Sequence, residues 1–180
     1  MSGKPRFATV WLGGCSGCHM SFLDLDEWVI ELAGLVDIVY TPIADIKEFP
    51  QNVDIVLVEG AIANEDNLEM IKKVRENSKM LIAFGDCAVT GNVTALRNPL
   101  GTATSILKAV YCEMPDIEGK IPNRSRTVPA LLETVQPLHV HVKVDQYIHG
   151  CPPSAKRIRE ALEALLNREP TYAASTAKFG

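Results

Sequence analysis

The strongest constraint on the fold is an alternation of short apolar runs with amphipathic segments. Residues 6–12 form the first run; with the β-branched Thr9 and Val10 it suits a buried strand. Phe22, Leu25, Val29 and Leu32 then recur at helical spacing, while Asp24, Asp26, Glu27 and Glu31 take the wet side. This predicts one helix, ended by Gly34. Further strands are predicted at 36–41, from Val53 to Gly60 and at 80–84, with a helix over 65–77 that carries Leu68, Ile71 and Val74 on one face. A helix over 102–112 follows, with Ile106 and Val110 on its buried side. Residues 113–139 lose the pattern: Pro115, Pro122, Pro129 and Pro137 interrupt it, and Arg124 and Arg126 leave little to pack. Irregular segments of that length often face a partner, and only a short helix at 130–134 is expected within it. A strand from Val140 and a helix over 153–167, carrying Ala155, Ile158, Leu162 and Leu165, complete the pattern. Beyond Pro170 the chain is expected to be loose or to lie on a neighbour. The whole predicts an α/β fold in one domain, residues 1–180, with a mainly parallel sheet covered on both faces.

Such sheets bind ligands outside the carboxyl ends of their strands. The cysteines fall there. Cys15 and Cys18 form a CxxC in a glycine-rich turn after the first strand, Cys87 follows the strand at 80–84, and Cys151 follows the strand from Val140. Four thiols from three loops are thereby predicted to converge on one sheet edge. Four thiolates serve either a 4Fe-4S cluster or a tetrahedral zinc. One close pair with two distant singles is unlike the two close pairs usual in zinc ribbons, and favours iron-sulfur; zinc and a dithiol switch remain alternatives. Asp86 and His149 flank these loops and His19 follows Cys18, so all three are candidates for tuning the centre through hydrogen bonds or charge. His19 and His149 are about equally compatible with ordinary core or surface positions. Cys112 lies away from any motif and reads as a core thiol. His139 and His141 make an HxH that reads as a partly exposed strand face and is left out of the site. Trp11, Phe22 and Trp28 need only core or interface packing, and Asp24, Asp26 and Glu27 read as a solvated helix face or as a complement to the helix dipole near its start.

A formal charge of -4 and a pI near 5.6 argue against a nucleic-acid binder. No apolar run approaches the ~18 residues of a membrane span. The first residues carry neither the apolar core of a secretory signal nor a twin-arginine pair, which predicts a cytoplasmic protein. Five cysteines in a reducing compartment point to metal or redox chemistry and away from a disulfide framework.

At these residues the chain resembles the small subunit of nickel-iron hydrogenases. WLGGCSGCHMSFLD (residues 11–24) is similar to that family's N-terminal cysteine motif, VEGAI (58–62) to the motif that follows, GDCAVTGN (85–92) to its third-ligand motif and GCPP (150–153) to its fourth. All four stand in family order, and the short subunit of the soluble, bidirectional, NAD-linked enzymes is the nearest in kind. The resemblance implies a flavodoxin-like three-layer sandwich in which Cys15, Cys18, Cys87 and Cys151 hold one 4Fe-4S cluster. That cluster would be proximal to a nickel-iron centre on a separate large subunit, with iron-sulfur and flavin diaphorase subunits reducing NAD+ beyond it. No cysteine follows Cys151, so no second cluster is expected here. His19 replaces a carboxylate found next to the second cysteine in many members, so no proton-transfer role carries over to it. Quinone-reducing respiratory relatives use adjacent cysteines at this motif, and the CxxC argues against that branch. No phosphate loop separate from the cysteine turn is evident, so FMN is not expected in this chain. Two alternatives stand beside this reading: a hydrogenase small subunit serving a deazaflavin or a sulfur compound, and a zinc-stabilised scaffold module.

Overall fold

The computed structural model describes residues 3–115, 119–122 and 127–167. In chain order its elements are β1 (Arg6–Trp11), α1 (Gly17–Leu23), α2 (Trp28–Leu35), β2 (Asp37–Tyr40), β3 (Val53–Glu59), β4 (Ile62–Asn64), α3 (Glu65–Glu76), β5 (Ser78–Phe84), α4 (Asp86–Thr90), α5 (Asn92–Ala95), α6 (Ala103–Tyr111), β6 (Leu131–Gln136), β7 (Gln146–Ile148) and α7 (Ala155–Leu166). Five strands form a parallel sheet in the order β2-β1-β3-β5-β7, the flavodoxin-like arrangement, and β4 pairs antiparallel with β6 beside it.

Alternate side chains of each central strand enter different cores, which is why the strands read as unbroken apolar runs. Phe7, Ile55, Leu57, Ile82 and Phe84 face Phe22, Leu25, Trp28 and Leu32 and the α7 residues Ile158 and Leu162. Ala8, Val10, Val56, Val58, Leu81 and Ala83 face Ile71 and Val74 of α3 and Ala88 of α4. The predicted three layers are present.

Several expectations need correction. The helix expected after the CxxC is two helices, because Asp26 adopts φ 51, a left-handed conformation that Asp tolerates better than most residues. Leu25 stays buried inside the break. Gly34 lies within α2, which ends instead where Val36 turns extended at φ -126. The segment expected as a helix at 130–134 is strand β6, where pairing with the sequence-distant β4 overrides local preference. On α6 the buried contact comes from Ala103; Ile106 is half-buried and Val110 is exposed. After Gln136 the chain makes one 3-10 turn, Leu138–Val140, so His139 and His141 are not on a strand, and β7 is confined to three residues. Arg124, Arg126 and the residues beyond Pro170 lie outside the described residues.

The short edge strand β7 delivers Cys151, and polar contacts seat it. Just before β7, Asp145 exchanges backbone hydrogen bonding with β5: its N–H donates to the Leu81 carbonyl at 2.9 Å, and its carboxylate accepts the Leu81 N–H at 2.9 Å. Arg75, at the end of α3, donates to the same carboxylate and to the carbonyls of Ser78 (2.6 Å), Lys79 (2.9 Å) and Lys143 (3.2 Å). Partial burial pushes the Asp145 carboxyl up, but the Leu81 N–H, Arg75 and Lys143 outweigh it and hold it below the ordinary carboxylate range. The stabilisation this implies is present above the ordinary pKa near 3.8 and lost as pH falls through the lower folded value. Asp145→Asn is therefore expected to cost about 2 kcal/mol at pH 7. In urea titrations, the gap between variant and parent should shrink below pH 3.8.

Candidate metal centre

The strand order reverses between β1 and β3, and their carboxyl ends open the crevice where ligands bind in such sheets. Backbone joins the two loops there: Gly13 and Ala61 exchange hydrogen bonds at 3.1 and 2.7 Å, and the Leu12 N–H donates to the Glu59 carbonyl at 2.9 Å. The contact requires glycine at residue 60. Its φ is +91, and a Cβ would stand 2.8 Å from the Leu12 carbonyl carbon.

Glu59 ends β3 and is 1% exposed. Its carboxylate accepts the backbone N–H of Cys18 (3.4 Å) and of His19 (2.9 Å), the two donors freed at the start of α1, and pairs with Nδ1 of His19. The imidazole, also 1% exposed, stacks on Trp11 and meets Phe84 edge-on, with centroids at 5.5 and 6.0 Å. Among the described residues, no hydrogen-bond partner meets its Nε2. His19 thus reaches the site through Glu59, a residue that the sequence marks only as part of the VEGAI run. A carboxylate closing an apolar strand was the signal available.

The β5 and β7 loops are stapled in turn. The Gly85 N–H donates to the Ile148 carbonyl (2.8 Å), the Asp86 N–H to the Gly150 carbonyl (2.9 Å), and the Gly150 N–H to the Asp86 carboxylate (2.8 Å). Asp86 is therefore a loop staple. The Ser21 hydroxyl of α1 donates to the Pro153 carbonyl at 2.6 Å, tying the third loop to the first. His149 stacks on Tyr147 at 6.2 Å, and its carbonyl accepts from Arg157 at 3.0 Å.

These loops place the four cysteines on one edge of the sheet. Cys18 and Cys87, in the first turns of α1 and α4, are buried; Cys15 and Cys151 are exposed. Burial first, then the Glu59 carboxylate, then Cys87, Cys15 and Cys151 push the Cys18 thiol far above the ordinary thiol range. Burial raises Cys87 as well, offset in part by hydrogen bonding from Thr94 and reinforced by Cys15 and Cys151. Thr94 also donates to the Gly13 carbonyl at 3.0 Å, and nothing in the sequence singles it out. Cys112 stands apart at the end of α6. Among the described residues, no three His, Cys, Asp or Glu side chains are placed to hold a single metal ion.

The fit to an inorganic cluster can be tested on Gly85. With φ +82, it lies so near the Cys18 sulfur that a Cβ would come within 2.1 Å of Sγ, and a Cβ on Gly17 would come within 3.3 Å of the Cys15 sulfur. Bare backbone packed against thiols, with four soft donors gathered at one edge, suits iron-sulfur ligation.

Comparison with known proteins identifies relatives of the chain. The family model described as "NADH ubiquinone oxidoreductase, 20 Kd subunit" matches residues 15–165. The chain is 44% identical to a vhu subunit of the F420-non-reducing hydrogenase of Methanocaldococcus jannaschii, over 91% of its own length and 57% of that protein. It is 36% identical to the NAD-reducing hydrogenase HoxS subunit delta of Cupriavidus necator, over 93% of its length and 81% of that one. It thus spans little more than half the length of the methanogen relative. A crystal structure of an NAD+-reducing [NiFe]-hydrogenase in the H2-reduced state contains a chain 37% identical, with TM-score 0.90, covering 94% of this chain and 95% of that one.

Two substitutions probe the site. Glu59→Ala strands two buried N–H groups and the His19 imidazole, and should lower stability by about 3 kcal/mol in chemical denaturation. Gly85→Ala should leave the anaerobically purified chain with less than half the parent's iron, because the Cys18 thiol must move.

Proposed function

Since the chain belongs to the NADH-ubiquinone oxidoreductase 20 Kd subunit family, in which its relatives are hydrogenase small subunits, we propose that it is the electron-transfer small subunit of a cytoplasmic nickel-iron hydrogenase. Its partners would be a large subunit bearing the H2-cleaving centre and iron-sulfur and flavin subunits at which NAD+ is reduced. One 4Fe-4S cluster, held by Cys15, Cys18, Cys87 and Cys151, would supply one-electron transfer between them.

The observation that carries this reading is the placement of Cys15, Cys18, Cys87 and Cys151 just beyond the carboxyl ends of three strands, β1, β5 and β7, of one parallel sheet. The chain's own residues bind and shield. Cys18 and Cys87 anchor the buried side, and Cys15 and Cys151 close the exposed side, where a partner can approach. Glu59 holds the first turn of α1, Asp86 and Ser21 lock the β7 loop, and the Thr94 hydroxyl donates to the Gly13 carbonyl beside the cysteine turn. No acid-base step falls to any of them. Among the described residues no helix is long and apolar enough to cross a membrane.

The TM-score of 0.90 to a chain of an NAD+-reducing enzyme supports NAD+ as the acceptor. The 44% identity to part of an F420-non-reducing hydrogenase supports a second reading, with the same cluster serving another acceptor. The assembled complex decides between them. H2-driven NAD+ reduction is expected for the parent and its loss, by at least 100-fold, for Cys87→Ala. Full NAD+ reduction by the variant would overturn the cluster assignment. H2 uptake by the parent with viologen but not NAD+ would favour the second reading.

A further inference from the structure

Seven of the chain's 22 acidic residues, but only one of its 18 Lys and Arg, lie between Leu23 and Glu48. The rest of the chain, with 15 acidic and 17 basic residues, is slightly positive. The single cation of the stretch, Lys47, is paired with Asp45, and the two cations that other segments bring to α2 are engaged as well, Lys4 with the Ala33 carbonyl (3.2 Å) and Arg159 with Glu163 (2.8 Å) and the Trp28 ring. Asp24, Asp26, Glu27, Glu31 and Asp37 are exposed and without an ion pair among the described residues.

At the centre of this surface stands α2. Trp28 and Leu32 bury its inner face, whereas Glu27, Ile30, Glu31 and Gly34, spaced at helical intervals, form the outer one. Ile30 is 75% exposed. Gly34 weakens a helix interior relative to alanine, and nothing among the described residues requires it, since a Cβ there would meet none of their atoms within 4 Å. An exposed isoleucine beside an open glycine, between unpaired carboxylates, suits close approach by a surface of opposite charge.

We propose that the outer face of α2 docks a neighbouring subunit of the assembly that presents a basic segment to Glu27 and Glu31 and an apolar side chain to Ile30 and Gly34. This rests on the hydrogenase-subunit reading above. A second copy of this chain would bring acidic faces together, and an anionic lipid surface or nucleic acid would be repelled. The test uses native mass spectrometry of the chain co-purified with its assembly, for the parent, Gly34→Ala, Gly34→Arg and the double variant Glu27→Lys/Glu31→Lys. Gly34→Arg and the double variant should keep the parent's iron content and melting temperature yet bind one non-identical subunit at least 10-fold more weakly. Gly34→Ala should retain it, and the parent's retention should fall as salt rises. Unchanged assembly in the bulky and charge-reversed variants, or loss of a second copy of this same chain, would overturn the proposal. A parent chain without iron would instead overturn the hydrogenase reading.

Discussion

The Glu59 carboxylate, buried at the carboxyl end of β3, takes the N–H groups of Cys18 and His19 and pairs with the His19 imidazole. The first turn of α1 is thereby fixed to the central strand of the sheet. Moving that turn would leave a charge unpaired in an apolar interior, a cost of about 3–5 kcal/mol. Everything else at the site is referred to this anchor. Gly60 lets the β1 loop lie directly on the β3 loop, Gly85 lets the Cys18 sulfur rest against bare backbone, and the stapled β5 and β7 loops carry Cys87 and Cys151 to the same edge.

This arrangement is unfavourable for the Cys18 and Cys87 thiolates in the chain alone. Burial and the neighbouring carboxylate and cysteines all oppose ionisation of Cys18. Bound iron would reverse that balance, because its positive charge would compensate the thiolates and its bonds would replace the lost solvation. A fold that crowds thiols beside a fixed carboxylate stores no advantage by itself; it acquires one when a cluster is bound. Protons released on ligation would connect the acidity of Cys18 and Cys87 to cluster loading.

Much of this was legible in the sequence, for local reasons. Runs such as VDIVLVE are apolar through both faces because both are covered, so the parallel sheet and its layers could be read directly. The cysteines could be placed because each follows a strand, and strand ends in a parallel sheet share an edge. What escaped depended on distant pairing or on one backbone angle. Strand β6 exists through β4, nearly 70 residues away in sequence; the break between α1 and α2 turns on Asp26. Asp86 could be read as a neighbour of Cys87, but not its hydrogen bond from the Gly150 N–H, a contact between loops 64 residues apart. Glu59 and Thr94 escaped for the same reason, since neither has chemistry until the fold brings Cys18 and Cys87 to it.

On the function proposed above, Cys15, Cys18, Cys87 and Cys151 hold one iron-sulfur cluster. The most direct measurement is Mössbauer and EPR spectroscopy of the anaerobically isolated chain with iron and acid-labile sulfide analysis. About four irons and four sulfides per chain, with a reducible S = 1/2 signal, are expected for a single 4Fe-4S centre. Stoichiometric zinc with neither iron nor sulfide would contradict that assignment.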